Sequence, residues 1–315
     1  MNGLSPSLSY NFNRPEYIRE KEFLRLIASR LLDKYALPGN QKDVSLILFF
    51  HAYENIKTLF DVLHEHFDIG AIVFKGSKDK HPAVLDACSA AGYPVWHDLN
   101  NTLLQSPQVA RLLSEIATGQ NRFCLALDYG GYLSHGHPDL SAYGHYIGAV
   151  EGTENGVQDY EAMLSRAAAA GGTQNLKPVI SGARSHLKEI YDAHIGESME
   201  KALSLILEGG YGLSPEEFYS TRKTGIVGYG KVGRSTAWYM RRAAAEHGIE
   251  ADIRICERDP ERAARAQEEG FAVQKLEEMM ESLHAGDLCL SITGNRALDL
   301  TTVNAGVMIG HGTSP

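Results

Sequence analysis

The stretch KTGIVGYGKVGRS, from Lys223 to Ser235, decides the fold. It opens with an apolar run of strand length, and a helical pattern extends from its end to His247. Three glycines, Gly228, Gly230 and Gly233, join the two. At this spacing the first permits a tight turn, the second lets backbone approach a pyrophosphate, and the third lets helix and strand pack closely. The first turn of the helix adds unpaired N–H groups and a dipole that favours phosphate. Spaced glycines alone are weak evidence, because an ordinary α/β turn can carry them. The strand before and the helix after supply the context the motif needs. The sequence thus predicts a dinucleotide held by Gly228, Tyr229, Gly230, Lys231, Val232 and Gly233.

The next strand-like run, ADIRICE, ends at Glu257, 29 positions past Gly228 (257 − 228). The usual spacing is about 20, so the intervening crossover helix is expected to be long. A carboxylate there bonds both ribose hydroxyls and repels a 2′-phosphate, which favours NAD over NADP. The neighbouring Arg258 argues the other way, since an arginine accepts that phosphate.

The same alternation runs through the rest of the chain. VSLILFF (44–50) precedes an amphipathic stretch at 52–67, and GAIVFKG precedes HPAVLDACSAAG. YPVWH precedes a helical 107–117, RFCLALD (122–128) precedes a Gly- and His-rich loop, and YIGAVEG leads into 157–170. Residues 14–35 read as a helix packed outside. Such alternation builds βαβ units, and hence parallel sheets with helices on both faces. A long helical pattern from about 185 to 209 ends in the helix-breaking cluster EGGYGLSPEE. The expectation is an α/β protein of two domains with parallel sheets. A flavodoxin/Rossmann-like substrate domain occupies 1–184, a hinge helix and linker 185–222, and an NAD-binding Rossmann domain 223–315.

The 315 residues are 43% hydrophobic and 22% charged, with a formal net charge of −9. Diffuse acidity disfavours nucleic acid as a partner. No run of 18 apolar residues offers a membrane span. The first residues lack a basic flank followed by an apolar stretch, so no secretory signal is expected. Cys88, Cys124, Cys256 and Cys289 have no metal-binding spacing and read as reduced, mostly buried thiols of a cytoplasmic protein. His135 and His137, in HGHP, have no third ligand at a suitable spacing, so no metal is expected.

Seven short blocks, in one order, resemble S-adenosylhomocysteine hydrolase. They are LDYGGYL (127–133), EGTENGV (151–157), KPVI followed by Lys188 and Asp192, GIVGYGKVGRS, CERDP, ITGN and MIGHG. The resemblance covers about four fifths of the chain. It implies a front domain that holds substrate and a bound NAD that oxidises a secondary hydroxyl to a ketone. A thioether then leaves, water adds and the ketone is reduced back. It implies that His51 is the acid/base at the leaving-group side and that Lys188 and Asp192 handle the proton of the oxidised hydroxyl. Asp128, Tyr129 and His311 fall near the substrate. Thr153, Asn155, Thr293 and Asn295 fall near the cofactor. The resemblance also implies a homo-oligomer acting on a small molecule. In that family a C-terminal arm completes the neighbour's cofactor site. The family's chain continues past the block that MIGHG matches, so NAD is expected to exchange more freely here.

Read without the resemblance, Lys188 and Asp192 are an i, i+4 pair on one helix face, equally suited to a surface salt bridge. The departures from the family are specific. Its second Asp after the leucine is Tyr129, its substrate-binding Glu is Gly152, and two of its three threonines are Glu154 and Asn155. Groups suited to oxidising an alcohol persist, while those that hold adenosine and expel homocysteine are largely replaced. Unpaired buried groups cost about 1–3 kcal/mol each, so a different nucleoside or sugar fits better than S-adenosylhomocysteine itself. True hydrolysis and a catalytically weak NAD-binding protein remain the alternatives.

Overall fold

The computed structural model describes residues 15–35, 41–53, 56–75, 82–99, 123–293, 306 and 308–311. The helix expected at 107–117 and the cofactor contact expected from Asn295 lie outside them. The chain divides into two units, Met1–Arg184 and Ser185–Pro315.

The first unit runs α1 (Pro15–Tyr35), β1 (Val44–Phe50), α2 (Ile56–His66), β2 (Asp68–Lys75), α3 (Pro82–Ala90) and β3 (Val95–Leu99). It continues with β4 (Phe123–Asp128), α4 (His137–Ser141), β5 (Tyr146–Glu151), α5 (Glu154–Ala169) and β6 (Val179–Ser181). The strand order is β3-β2-β1-β4-β5-β6, with every neighbouring pair parallel. The run VSLILFF makes a central strand because both of its faces are covered. Ile47 and Phe49 enter one core and Leu46 and Leu48 the other, as the period of two requires. Each such side chain contributes about 1.5–3 kcal/mol on burial. The order reverses between β1 and β4. Ligands of open α/β sheets bind outside the carboxyl ends of the strands at that point.

The second unit runs α6 (His186–Ile206), α7 (Pro215–Thr221), β7 (Lys223–Val227), α8 (Lys231–Glu246) and β8 (Asp252–Cys256). Then follow α9 (Pro260–Glu268), β9 (Ala272–Val273), α10 (Leu276–Ser282), β10 (Leu288–Ser291) and β11 (Met308–His311). Its sheet, β11-β10-β7-β8-β9, is also parallel and reverses between β7 and β10. Alternation again divides two cores, with Ile226, Ile255 and Leu290 on one face and Val227, Cys256 and Cys289 on the other. The crossover α8 is 16 residues long, in line with the wide spacing to Glu257.

The segment 185–222 packs as part of this second unit. A Cβ on Gly196 of α6 would stand 2.3 Å from Ser235 Oγ and 2.5 Å from Thr236 N of α8. Only glycine lets the two helices come this close. Met199 and Leu203 of α6 then pack on the core beneath. The helix ends in a π turn, Leu207–Tyr211, closed by Gly212 at φ +65°, a conformation that glycine adopts without penalty. Among the described residues, no helix is long and apolar enough to cross a membrane.

Candidate functional site

The glycine turn lies at the switch point of the second sheet. Gly228 leaves β7 at φ +100°, and a Cβ there would stand 2.7 Å from Ile292 O and 2.9 Å from Thr293 Cγ2. The turn is therefore pressed against the end of β10, which places the expected Thr293 beside it. A Cβ on Gly233 would stand 2.0 Å from Gly228 O, so this residue closes α8 onto the strand. Gly230 differs from both. The nearest group to a Cβ there is Arg262 Nη1 at 3.6 Å, an ordinary contact that leaves its Cα face accessible. Gly230 is also the N-cap of α8, and no side chain caps that helix. Thr153, Ser185, Ser214 and Asp259 cap α5, α6, α7 and α9 with side-chain oxygens. The N-cap of α8 thus supplies no side-chain acceptor, the arrangement found where a helix N-terminus binds an anion.

Glu257 follows β8 and accepts from the backbone N–H groups of Tyr229 (2.6 Å), Arg258 (2.7 Å) and Asp259 (3.0 Å). A carboxylate has about four acceptor sites, so it retains room for one further donor such as a ribose hydroxyl. Tyr229 contributes through its backbone only. Its ring is buried against Phe271, its hydroxyl donates to Glu269 at 2.6 Å, and burial raises its pKa. Val232 packs on the core of the second unit. Lys231 lines a cleft of about 720 Å³ with Gly230, Arg234, Trp238, Arg262 and Arg265.

Lys188 and Asp192 come together as the sequence suggests. The Lys188 ammonium donates to Asp192 Oδ1, and Asp192 is only 7% exposed. This burial separates the pair from the exposed helix salt bridges of the chain, such as Lys201 with Glu197. His311 lies on β11 in register with Ser291 of β10.

In the first unit, the crevice between β1 and β4 is aromatic. Phe50 stacks on Tyr129 with centroids 5.8 Å apart and planes 18° apart. The buried His51 ring lies 5.1 Å from that of Tyr53. A Cβ on Gly152 would stand 2.5 Å from Tyr129 Cδ2. Two separate departures in the sequence, Tyr129 and Gly152, are therefore one repacking, in which the tyrosine ring occupies the space a side chain at 152 would need.

Asp128 and Glu151 have structural duties. Asp128 accepts from Leu133 N (2.8 Å), Tyr132 N (3.2 Å) and Tyr160 Oη (3.1 Å). Glu151, fully buried, accepts from Gly130 N, Gly131 N, Thr153 N and Thr153 Oγ1. Burial raises the Glu151 pKa, and those four donors oppose it. Thr153 also caps α5 by accepting from Gly156 N. Asn155, the second residue of α5, is exposed. The carboxyl group expected to meet substrate at Asp128 is thus turned inward to brace the loop.

Among the described residues, no group of three or more His, Cys, Asp or Glu side chains is placed to hold a metal. His137 is fully buried, with Nδ1 at 2.9 Å from Tyr146 Oη and Nε2 at 2.9 Å from the Lys177 carbonyl. All four cysteines are free and buried. Burial pushes the thiols of Cys124 and Cys289 up to about 11, which keeps them protonated and unreactive near neutral pH. The sequence reading missed Trp238, Arg262, Arg265 and Glu269. The i, i+3 arginines of PERAARA were the available signal.

No protein-family model and no curated protein matches the chain. Solved structures similar to it include a dipicolinate synthase component from Bacillus halodurans, at 10% identity over 86% of this chain and 82% of that one, with a TM-score of 0.41. The apo-structure of D-lactate dehydrogenase from Escherichia coli is similar at 12% identity over 85% and 73%, with a TM-score of 0.42. A putative D-isomer specific 2-hydroxyacid dehydrogenase, NAD-binding, from Polaromonas sp. JS6 66 is similar at 15% identity over 76% and 72%, with a TM-score of 0.41. Likeness at this level assigns no family.

Proposed function

We propose that the chain is an NAD-dependent enzyme that oxidises a secondary hydroxyl of a nucleoside- or sugar-like small molecule. One observation carries this reading. Gly228 and Gly233 hold a turn that no other residue fits, and it delivers the uncapped α8 to the open switch point beside Glu257. This cradle fits a dinucleotide: the helix N-terminus suits its pyrophosphate and the remaining acceptor site of Glu257 suits a ribose hydroxyl. The bound nicotinamide would supply a hydride acceptor. The Lys188–Asp192 pair would take the carbinol proton by relay: the Lys188 ammonium passes a proton to the Asp192 carboxylate as it accepts the one from the hydroxyl. His51 would serve as a second acid/base, at the substrate crevice of the first unit.

The Tyr129 ring over Gly152 supports a substrate other than S-adenosylhomocysteine, because two carboxylates of the resembled family are absent there. The same feature favours the second reading, a protein that binds NAD with little or no turnover. Both readings predict saturable NAD binding. Only the first predicts a rise in reduced-nicotinamide absorbance when adenosine, inosine, ribose or inositol is supplied. Release of homocysteine from S-adenosylhomocysteine would instead restore the hydrolase. Failure of the folded protein to bind NAD would remove all three.

A further inference from the structure

The cleft beside the glycine turn has more positive charge than a pyrophosphate needs. Lys231 and Arg234 of α8 and Arg262 and Arg265 of α9 line it, with Trp238 and Tyr239 as aromatic walls. This is a local excess in a chain of net charge −9. Of these four cations, Arg234 is paired with a carboxylate, so the excess rests on the two arginines of α9. Glu269 is held by Arg234 at 2.8 Å and also accepts from Trp238 Nε1 (2.8 Å) and Tyr229 Oη (2.6 Å). Glu257 is held by three backbone amides.

The two arginines of α9 are the telling residues. Glu261 lies four residues before Arg265, the orientation in which helix ion pairs form best. Even so, among the described residues no carboxylate is paired with Arg262 or Arg265, and both side chains line the cleft. Arg25, Arg184, Arg242 and Arg254 each hold a carboxylate instead. Arg262 Nη1 reaches to within 3.6 Å of the Cβ position at Gly230, so one cation stands directly over the turn. The aromatic walls add flat surfaces on which an arginine or a base can stack.

We infer that this cleft binds a phosphate monoester, in addition to the pyrophosphate, through Arg262 and Arg265. A monoester carries about −1.5 to −2 charges near neutral pH, and bidentate arginine contacts suit its oxygens. The inference rests on the dinucleotide reading only for its first source, a 2′-phosphate on the cofactor's ribose. The second source is a separate phosphate or a phosphorylated small molecule. In the first case the amide-bound Glu257 would be outweighed by the surrounding cations, and the chain would prefer NADP.

Calorimetric titration of the full chain separates these cases, with AMP, adenosine 2′,5′-bisphosphate and inorganic phosphate as probes. The same probes are applied to the double variant Arg262→Gln, Arg265→Gln. Both positions are exposed, and an unchanged melting temperature confirms that the variant is folded. Binding of the bisphosphate at least about tenfold tighter than AMP, with the difference lost in the variant, supports the 2′-phosphate source. Equal binding of the two nucleotides, with phosphate binding that is lost in the variant, supports the separate source. Phosphate binding without any nucleotide binding also upholds the cleft while removing the dinucleotide reading. No advantage for the bisphosphate and no phosphate binding, or probe affinities that the variant leaves unchanged, overturns the inference.

Discussion

Two alanine substitutions one helical turn apart should fail in different ways. At Gly233 an added Cβ would lie 2.0 Å from Gly228 O and 3.0 Å from Gly228 C. Ordinary non-bonded contacts are about 3.5 Å or more, so α8 must shift by more than about 1 Å from β7. The obstacle is backbone on both sides, and no flexible side chain can yield. Overpacking typically costs about 1–3 kcal/mol, and Gly233→Ala should fall at or above the top of that range. With roughly 3 to 5 °C per kcal/mol for a unit of this size, the melting temperature should drop by about 10 °C. At Gly230 the added Cβ meets only Arg262 Nη1 at 3.6 Å. Gly230→Ala should therefore stay within about 0.5 kcal/mol of the parent in stability. It should nevertheless weaken NAD binding by about tenfold or more, because the methyl group occupies the approach of the pyrophosphate. Chemical denaturation and NAD titration on both variants measure the two effects. A stable Gly233→Ala, or a Gly230→Ala that binds NAD as the parent does, would refute the assignment of the turn.

Glu151→Gln should destabilise the first unit by about 2–4 kcal/mol in urea unfolding. Three of its four partners are backbone N–H groups, divided between the two oxygens, so in either orientation the new amide NH2 would face at least one N–H. Burial holds the His137 imidazole below its usual pKa, the bond to the Lys177 carbonyl only partly opposing it. The unfolded chain therefore takes up a proton near pH 6.5 that the folded chain refuses. This part of the stability is complete above that pH and is lost as pH falls, by up to about 1.4 kcal/mol per pH unit until the folded value is reached. His137→Gln keeps an acceptor for Tyr146 and a donor for Lys177, so stability measured from pH 7 to 5 should become flatter. Asp192→Asn should leave NAD affinity unchanged and lower turnover of an accepted alcohol by about a hundredfold or more, read as the initial rate of nicotinamide reduction.

The second unit is the more legible in sequence. A strand, three glycines and a helix leave few alternatives, because Gly228 and Gly233 are required by backbone geometry and Gly230 by the approach of a pyrophosphate. The parallel sheets followed from continuous apolar runs such as VSLILFF, whose two faces are both buried. Other features depend on contacts between residues distant in sequence. Tyr129 and Gly152 read as two losses until the ring of one is seen to lie on the Cα of the other. Gly196 lies inside a helical pattern, where glycine is unfavourable, and only the approach of Ser235 explains it. Asp128 sits at a strand end, where ligand contacts are common, and its inward turn depends on Tyr160, 32 residues away. The cationic cleft joins two helices whose arginines, taken separately, resemble solvated surface.

Most depends on the glycine turn taking a nicotinamide dinucleotide. Native mass spectrometry of the purified full chain in the presence of NAD tests this directly, with Gly230→Asp as the control. The expected result is one dinucleotide per chain in the parent and none in the variant, whose added carboxylate would confront the pyrophosphate. A folded parent that acquires no dinucleotide, or a variant that acquires it equally well, would contradict it.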